Sequence, residues 1–344
     1  MRDELKLGLN ASQVLQRRYL LRDDRGDVVE TPFGMFRRVA KFVAKAEKKQ
    51  KRKFYEEKFF EIMKNLEFLP NSPTLMNAGT ELGQLSACFV IDVEDSLVSI
   101  FDAVKTMALI QQSGGGTGFS FSKIRAEGSI VKSTKGVASG PVSFMKVFDV
   151  TTDVIKQGGR RRGANMGVLR VDHPDILQFI VAKDEGKFSN FNISVAVDDK
   201  FMEAVKRNRE YWLVDHKKKK LKKLSAKDVF DLIATRAWRT GDPGILFMDT
   251  INKKHPLPDL IDATNPCGEQ PLYYYESCDL GSINLSKMLK KNKEGMKIDW
   301  KKLEETVRLA VRFLDNVIDV NKYIANINQN FLGKIAGERR FPLS

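Results

Sequence analysis

The residues best suited to chemistry lie in one short stretch, Asn265-Pro-Cys-Gly-Glu269. It places the thiol of Cys267 two residues before the carboxylate of Glu269 and two residues after the amide of Asn265. A second thiol, Cys278, follows within the segment 276–284. A carboxylate can accept a proton and a thiol can do one-electron or two-electron work, so this Pro- and Gly-bent loop is a candidate active centre. The alternative is an ordinary turn with a buried cysteine, because free cysteine usually behaves as a small hydrophobic residue.

The cysteine count favours the active-centre interpretation. The chain holds only three cysteines, Cys88, Cys267 and Cys278. Cys88 lies in the apolar run 85–91, which is typical of a β-strand. Three cysteines cannot form a framework of structural disulfides, so we expect free thiols in a reducing compartment.

Four segments carry a family resemblance. They are Asn71-Ser-Pro-Thr-Leu-Met-Asn-Ala-Gly79, Ser113-Gly-Gly-Gly-Thr-Gly-Phe119, Lys156-Gln-Gly-Gly-Arg-Arg-Arg-Gly-Ala164 and the 265–269 loop. Taken alone, the glycine cluster can bind phosphate or can serve only as a tight chain reversal. The arginines between glycines can likewise bind phosphate or can form only a solvated loop. In this order, and with the three cysteines, the segments resemble the large, catalytic subunit of ribonucleotide reductase. The resemblance runs from about residue 14 to about residue 321.

The resemblance implies a role for each thiol. Cys267 matches the cysteine that becomes a thiyl radical, while Cys88 and Cys278 match the pair that delivers the reducing electrons. Glu269 matches the acceptor of the 3′-hydroxyl proton, and Asn265 matches a residue that hydrogen-bonds the sugar. The implied reaction replaces the ribose 2′-hydroxyl with hydrogen and leaves a disulfide that a thioredoxin- or glutaredoxin-like reductant reopens. That disulfide requires the Cα atoms of Cys88 and Cys278 to lie within about 7 Å of each other.

The resemblance also implies two nucleotide sites. Substrate contacts, mostly through main chain, are expected at Ser72, Ala87 and Gly114, beside Cys88, Asn265 and Glu269. The deoxynucleoside triphosphate effector, which selects the base to be reduced, is expected at Asp95, Ser96, Leu97, Arg125, Ile130 and Arg161. The loops 156–164 and 183–192 match those that connect effector to substrate, usually across a homodimer interface, which would be allostery between two sites.

Three short segments of the sequence indicate how the radical is made. The string Arg17-Arg-Tyr-Leu-Leu-Arg22 and the segments 113–118 and 138–144 are closest to the adenosylcobalamin-dependent ribonucleoside-diphosphate reductases, called class II. The alternative within the family is a radical supplied by a separate metal-bearing subunit. No metal site is predicted in this chain, because its three histidines show no metal-ligand spacing. His173, which begins a His-Pro turn, is expected to cap a helix.

The order of elements predicts an α/β fold. Residues 13–68 are predicted to be helical, with Thr31-Pro32 as a helix start. From residue 70 onward strands alternate with helices, which is typical of a parallel sheet. A final helix is predicted from residue 299 to about 320, with one apolar face made of Leu303, Val307, Ala310, Val311 and Leu314. With the resemblance, this predicts a small N-terminal helical domain at 1–70, followed at 71–344 by the first half of the ten-stranded α/β barrel of ribonucleotide reductases.

Composition sets further limits. The 344 residues are 42% hydrophobic, which is enough for a large core. The formal net charge is +14, and the lysines of 217–223, which contribute to it, are expected to form a solvated turn. Nucleotide binding or an acidic partner subunit accounts for this charge, and we predict no direct nucleic-acid binding. No apolar run approaches the roughly 18 residues that span a bilayer, and no signal segment is evident, so we predict a cytoplasmic protein.

The extent of the match predicts an incomplete enzyme. Family members continue into a second set of barrel strands and a cysteine-bearing tail, whereas the segment 324–340 fits the family poorly. We therefore expect an N-terminal portion, either a fragment or one piece of a split enzyme, that needs the C-terminal half for activity. One alternative is a catalytically inactive nucleotide-binding regulatory fragment of the same family. Another is a basic nucleic-acid-binding protein, whose affinity for DNA would depend steeply on salt.

Overall fold

The computed structural model describes residues 5, 7–131, 135–157, 161–256, 258–293 and 295–324. The side chains of residues 156, 157, 161 and 185 lie outside this description. So does the chain after residue 324, which includes most of the segment expected to fit the family poorly.

The N-terminal region is helical, as predicted. It contains α1 (Leu9–Arg18), α2 (Pro32–Val43), a 3₁₀ turn (Ala44–Ala46) and α3 (Arg52–Lys64). Helix α2 begins where predicted, because the Thr31 hydroxyl accepts a hydrogen bond of 3.0 Å from the backbone N–H of Gly34 and Pro32 follows it. Its buried face consists of Met35, Phe36, Val39, Ala40 and Val43.

Beyond residue 67, strands and helices alternate. The first group is β1 (Phe68–Pro70), α4 (Ser72–Asn77), β2 (Cys88–Ile91), α5 (Leu97–Gln112), β3 (Gly116–Ser120), α6 (Gly140–Val154), β4 (Lys156–Gln157), β5 (Arg161–Arg162), β6 (Asn165–Arg170), α7 (Ile176–Ile180) and β7 (Phe191–Val197). The second group is α8 (Asp199–Lys206), β8 (Glu210–Val214), β9 (Lys220–Ser225), α9 (Ala226–Thr240), β10 (Gly244–Phe247) and α10 (Met248–Lys254). The last group is β11 (Ala263–Thr264), β12 (Pro271–Leu272), β13 (Ser277–Cys278), β14 (Gly281–Ile283), β15 (Leu289–Asn292), β16 (Gly295–Ile298) and α11 (Trp300–Val320).

The main sheet of the described residues has six strands in the order β10-β7-β6-β3-β2-β13. The first five run parallel, and β13 joins β2 antiparallel at the edge. Strands β2 and β3 are buried along their whole length. A mostly parallel sheet whose central strands are covered on both faces is the α/β half-barrel arrangement that was predicted.

The two faces of the sheet have different neighbours. Phe89 and Ile91 belong to the core formed with helices α5 to α9. Cys88 and Val90 belong to a smaller core on the other face, which includes Cys278. Because successive side chains of a strand point to opposite faces, the start of β2 commits Cys88 to the face that the helices do not cover.

Helix α11 packs back against the N-terminal helices. The ring of Phe313 contacts the rings of Phe59 and Phe68, with centroids 5.1 and 5.3 Å apart. The predicted apolar face was only partly right. Leu303, Val307 and Val311 are half-buried, and the fully buried apolar residues are Ala310, Phe313, Leu314 and Val317. The stripe is rotated because Phe313 fills the space between α3 and β1.

Two hairpins lie at the surface. β8 pairs with β9, and the lysines of 217–223 occupy their connection and the exposed strand β9. These lysines are solvated as predicted, although half of the run is strand and not turn. β15 pairs with β16 in the same antiparallel way. No helix among the described residues is both long and apolar enough to cross a membrane.

One ion pair, between a buried carboxylate and an exposed guanidinium, ties the N-terminal region to the last helix. Glu47, just after α2, accepts two hydrogen bonds of 2.7 Å from Arg312 and one of 3.0 Å from Asn316, both on α11. The bonds from Arg312 are the main reason that the pKa of Glu47 is lowered. Charge-assisted bonds of this kind, made by a buried carboxylate, are among the stronger polar interactions.

Replacing Glu47 with Gln should lower the free energy of unfolding by about 2 kcal/mol at neutral pH, because charge-assisted hydrogen bonds are lost. The loss should shrink as the pH falls through the pKa of Glu47, since the parent then also loses its charge. Urea unfolding at several pH values measures this. The matched control is Glu304→Gln, which breaks an exposed pair with Arg308 on the same helix and should cost at most about 0.5 kcal/mol. Equal losses for both variants would contradict the assignment.

Candidate active site

The predicted thiol pair lies across two neighbouring strands. Cys88 is the first residue of β2 and Cys278 the last residue of β13, and the two are direct partners in the antiparallel register. Directly opposed residues have Cα atoms about 4.5–5.5 Å apart, which is within the range that a disulfide spans. One strand pairing therefore brings together two cysteines that lie 190 positions apart in the sequence.

The surroundings of this pair keep Cys278 in the thiol form. Cys88 is 5% exposed and Cys278 is 0% exposed. The pKa of Cys278 is raised well above its usual value, first by a hydrogen bond with the Cys88 thiol and then by burial. The negative charges of Asp279 and Glu269 add to the effect. The pair is thus suited to giving up protons together with electrons, and poorly suited to acting as a standing thiolate nucleophile.

The amide of Asn265 joins the active loop to the pair. Its Nδ2 donates to the Sγ of Cys88 at 3.4 Å, while its Oδ1 accepts from the backbone N–H of Gln270 at 3.0 Å. The backbone N–H of Gly268 donates to the Asn265 carbonyl at 3.0 Å. Gly268 has a φ of +80°, a left-handed conformation that glycine adopts readily. The fully buried Asn265 therefore fixes the base of the loop, and Gly268 turns its tip.

Cys267 and Glu269 are exposed at the tip of the same loop. The charge of Glu269 acts on Cys278, so the carboxylate lies on the side of the loop near the thiol pair. The structure thus brings together the five residues predicted to be catalytic: Asn265, Cys267, Glu269, Cys88 and Cys278.

The glycines of β3 explain how the loop comes so close to the sheet. A Cβ added at Gly118 would lie 1.7 Å from the carbonyl oxygen of Thr264. One added at Gly116 would lie 2.7 Å from the Pro266 ring. Both glycines are in the buried strand β3. The sequence offered phosphate binding or chain reversal for this cluster, and for these two glycines the structure instead indicates close backbone approach.

Two of the predicted substrate contacts, Ala87 and Gly114, lie just before the amino ends of β2 and β3, and the third, Ser72, lies in α4. Ala87 precedes Cys88, and its N–H donates to the Cys278 carbonyl at 3.0 Å. Gly114 turns the chain between α5 and β3 with a φ of +93°. Ser72, in the first turn of α4, shares a hydrogen bond of 2.8 Å with the Tyr19 hydroxyl.

A residue that sequence reasoning missed holds these segments together. The Nδ2 of Asn77, in α4, donates to the carbonyl of Gln84 at 2.8 Å and to that of Ser113 at 2.9 Å. The segments before β2 and before β3 are therefore fastened to α4. The only signal in the sequence was the position of Asn77 inside the segment 71–79.

The predicted effector residues lie beyond the carboxyl ends of β2 and β3, at the other end of these strands from Cys88. Arg125 Nε contacts Asp95 Oδ2 at 2.7 Å. Ser96 caps α5, its hydroxyl accepting from the N–H of Ser99 at 3.2 Å, and Leu97 is 63% exposed beside it. These four residues lie close together, and their role as an effector site stays a prediction.

The two remaining predicted effector residues are Ile130 and Arg161. Ile130 lies in the loop after Arg125, forms a bridge with Val137 and is 72% exposed. The backbone of Arg161 pairs with Gln157 in a short two-stranded ladder, but its side chain lies outside the described part of the chain.

The two predicted connecting loops touch each other. The guanidinium of Arg162 donates to Asn190 Oδ1 at 2.6 Å and to Ser189 Oγ at 3.1 Å. The second loop also reaches the active loop, because Asn192 Nδ2 donates to the carbonyl of Pro266 at 2.8 Å. That carbonyl directly precedes Cys267, so a continuous set of contacts runs from the arginine loop to the candidate radical cysteine.

His173 was expected to cap a helix, but no side chain caps the N-terminus of α7, so that prediction was wrong. His173 instead fixes the turn that precedes the helix. Its Nδ1 accepts from the N–H of Asp175 at 3.0 Å, so Nε2 carries the proton and donates to the Ile124 carbonyl at 2.9 Å. Burial lowers its pKa. Among the described residues, no group of three or more His, Cys, Asp or Glu side chains could hold a metal ion.

Replacing Gly118 with Ala should displace the active loop, because the new Cβ would overlap the Thr264 backbone. We expect the free energy of unfolding to fall by about 3 kcal/mol or more. The control is Gly8→Ala, where an added Cβ meets nothing within 4 Å and φ is −65°. It should cost less than about 1 kcal/mol in the same denaturant titration. A Gly118→Ala chain as stable as the control would show that β3 and the loop are not in contact.

Comparison with known proteins agrees with this geometry. A family model described as "Ribonucleotide reductase, all-alpha domain" matches residues 5–83, and one described as "Ribonucleotide reductase, barrel domain" matches residues 86–330. The vitamin B12-dependent ribonucleoside-diphosphate reductase of Thermoplasma acidophilum is 50% identical over 94% of this chain and 50% of the relative. The protein of the same name from Mycobacterium tuberculosis H37Rv is 50% identical over 94% of this chain and 46% of the relative.

A more distant relative widens the comparison. The ribonucleoside-diphosphate reductase subunit alpha of Chlamydia muridarum is 29% identical over 93% of this chain and 34% of its own length. The chain spans about half the length of the Thermoplasma and Mycobacterium relatives. On the match to both family models and on these identities, the chain belongs to the ribonucleotide reductase family, as a member with the helical domain and a barrel-domain match.

Proposed function

We propose that this chain is part of the catalytic chain of a ribonucleoside-diphosphate reductase, which makes 2′-deoxyribonucleotides for DNA synthesis. The observation that carries the proposal is the opposition of Cys88 and Cys278, with Asn265 bonded to Cys88 and Cys267 on the same loop. The names of the relatives from Thermoplasma and Mycobacterium support a diphosphate substrate. The remaining half of the site would come from residues outside this chain.

In the proposed reaction, each residue has one task. Cys267, as a thiyl radical, removes the hydrogen atom from C3′ of the ribose. Glu269 takes the proton of the 3′-hydroxyl, which weakens the neighbouring C2′–O bond. Cys88 and Cys278 supply two electrons and two protons, so ribonucleotide and dithiol become deoxyribonucleotide, disulfide and water. Asn265 orients the sugar while holding the loop against the pair.

The local chemistry supports this division of tasks. A pair delivering hydrogen equivalents must start as neutral thiols, and the raised pKa of Cys278 provides that at neutral pH. The hydrogen-abstracting thiol must reach both the substrate and the radical source, and Cys267 is exposed. The base of the loop that carries Cys267 is nevertheless fixed by the buried amide of Asn265, so the position of Cys267 is defined.

Adenosylcobalamin is the proposed source of the radical, supported by the names of the relatives. When bound, such a cofactor supplies an initiating radical through cleavage of its cobalt–carbon bond. The residue fitted to receive it is Cys267, whose thiol is exposed at the loop tip. A radical supplied by a separate metal-bearing subunit is the alternative.

We also propose the remaining partners. A deoxynucleoside triphosphate would bind around Asp95, Ser96, Leu97 and Arg125, with Ile130 and Arg161 completing the site in a homodimer. The contacts of Arg162 with Ser189 and Asn190 support communication from there to the substrate. A thioredoxin- or glutaredoxin-like protein would reduce the spent pair. A site that works through free thiols needs a reducing compartment, which supports a cytoplasmic location. The domain boundary near residue 70 stays a prediction.

Mild oxidation of the chain should link Cys88 to Cys278 and leave Cys267 free for alkylation. The reason is the direct opposition of the two buried thiols, compared with the separate position of Cys267 at the loop tip. Peptide mapping by mass spectrometry identifies the linked pair. Cys88→Ser is the control and should abolish the bond. Linkage of Cys267 to either partner as the main product would contradict the arrangement.

Activity should appear only when the chain is completed by the second half of a reductase, for which the Thermoplasma relative is a suitable donor. In that complex, Cys267→Ser should abolish formation of deoxyribonucleotide, and Glu269→Gln should lower kcat by about 10²-fold or more. Glu305→Gln, an exposed acid on α11, is the control and should leave the rate unchanged. Effector binding without turnover in the completed protein would favour the regulatory-fragment alternative. Turnover that survives Cys267→Ser would refute the proposal.

A further inference from the structure

A buried acid that the proposed reaction does not use lies beside the thiol pair. Asp279 directly follows Cys278 and is 3% exposed. Its Oδ1 has no hydrogen-bond partner among the residues that the structure describes. A carboxylate in such a place is costly unless it is well hydrogen-bonded or paired with a cation.

Among the described residues, the side-chain hydrogen-bond partner of Asp279 is the neutral hydroxyl of Ser86. Ser86 Oγ accepts from Asn321 Nδ2 at 3.2 Å and from Ser277 Oγ at 3.3 Å. With its two lone pairs engaged in this way, the hydroxyl has its single proton left for Asp279, with which it is hydrogen-bonded. Asp279 therefore receives one hydrogen bond, and no cation contributes to its ionisation in the described structure.

This environment makes Asp279 change charge under ordinary conditions. Burial is the main cause that raises its pKa, to about 7, and the Ser86 hydrogen bond lowers it only in part. The groups that act on Cys278 are the Cys88 thiol from β2, Asp279 from its own segment and Glu269 from the active loop. Of the two carboxylates, Asp279 is the buried one, so solvent screens its effect on Cys278 least.

We propose that Asp279 is a positioning residue for the thiol pair: its negative charge adds to the Cys88 bond and the burial that hold Cys278 in the neutral form, and its protonation weakens that restraint, so the redox behaviour of the pair changes with the charge of Asp279. The inference deepens the proposed function, because a reductase must reopen this pair after each turnover. It concerns the pair itself and can be measured without turnover.

The consequence falls on the reopening step. The thiolate of a dithiol reductant bonds to the sulfur of Cys88, the more exposed of the two, and the Cys88–Cys278 bond breaks with its electron pair leaving on Cys278. The second thiol of the reductant then releases Cys88, and the two thiol protons of the reductant end on Cys88 and Cys278. A charged Asp279 opposes the departure of Cys278 as a thiolate, whereas a protonated Asp279 does not.

The test uses this chain with Cys267→Ser, which leaves only the two thiols of the pair. Thiolate absorbance in the ultraviolet, followed against pH, should show that Asp279→Asn forms thiolate at lower pH. We expect about tenfold more thiolate at a given pH, which corresponds to about one pKa unit. Asp262→Asn is the control. Asp262 is a half-buried acid, but it is bound by the Tyr274 hydroxyl at 2.6 Å and lies near Ser120, at the far end of β3.

A second measurement gives the direction of the effect. The rate at which dithiothreitol opens the oxidised pair should increase less steeply with pH in the parent than in Asp279→Asn, with a bend near the pKa of Asp279. Ser86→Ala removes a hydrogen bond that lowers this pKa, so its bend should move to higher pH. Ser86→Ala also decides the question if Asp279→Asn fails to fold. Thiolate curves and opening rates that are the same in the parent and in these variants would overturn the inference.

Discussion

The antiparallel pairing of β13 with β2 is the interaction on which the site depends. Five parallel strands build most of the sheet, and parallel neighbours alone would not bring residue 278 back to residue 88. The edge strand β13 does so, in a register that sets the two cysteines opposite each other. A slip of one residue would turn one thiol to the helix-covered face. The approach of the two thiols therefore depends on this register.

The second requirement is that the active loop lie almost in contact with the sheet. Gly116 and Gly118 permit this by leaving space where any other residue would place a Cβ. The amide of Asn265 then binds both the loop backbone and the thiol of Cys88, and the Asn192 side chain holds the carbonyl before Cys267. The loop is therefore held from three sides, while the thiol of Cys267 at its tip stays exposed.

Much of this arrangement could be predicted from the sequence. The three cysteines and the four motifs predicted the fold and the approach of Cys88 to Cys278, while the catalytic roles of the site residues stay predictions. The helix start at Thr31 was readable from local rules. Tertiary packing was less accessible. The buried face of α11 was misjudged because Phe313 packs into a space formed by distant residues, which periodicity does not reveal.

The role of the glycines and of Asp279 could not be predicted from sequence either. A glycine cluster is compatible with a turn, an anion site or close approach, and only the neighbouring loop distinguishes them. Asp279 is unremarkable in a sequence, since its burial and its single hydrogen bond from Ser86 depend on the pairing of β13 and on the end of α11.

The central claim is that Cys88 lies at one site with Cys267 and Cys278, from which it is distant in sequence. A crystal structure of the reduced chain tests it most directly, through the distance between the Cα atoms of Cys88 and Cys278 and the direction of the Cys267 side chain. The account predicts Cα atoms within about 6 Å of each other and Cys267 on the face of the sheet that carries the pair. A separation greater than about 7 Å, or a Cys267 loop turned away from β2 and β3, would contradict it.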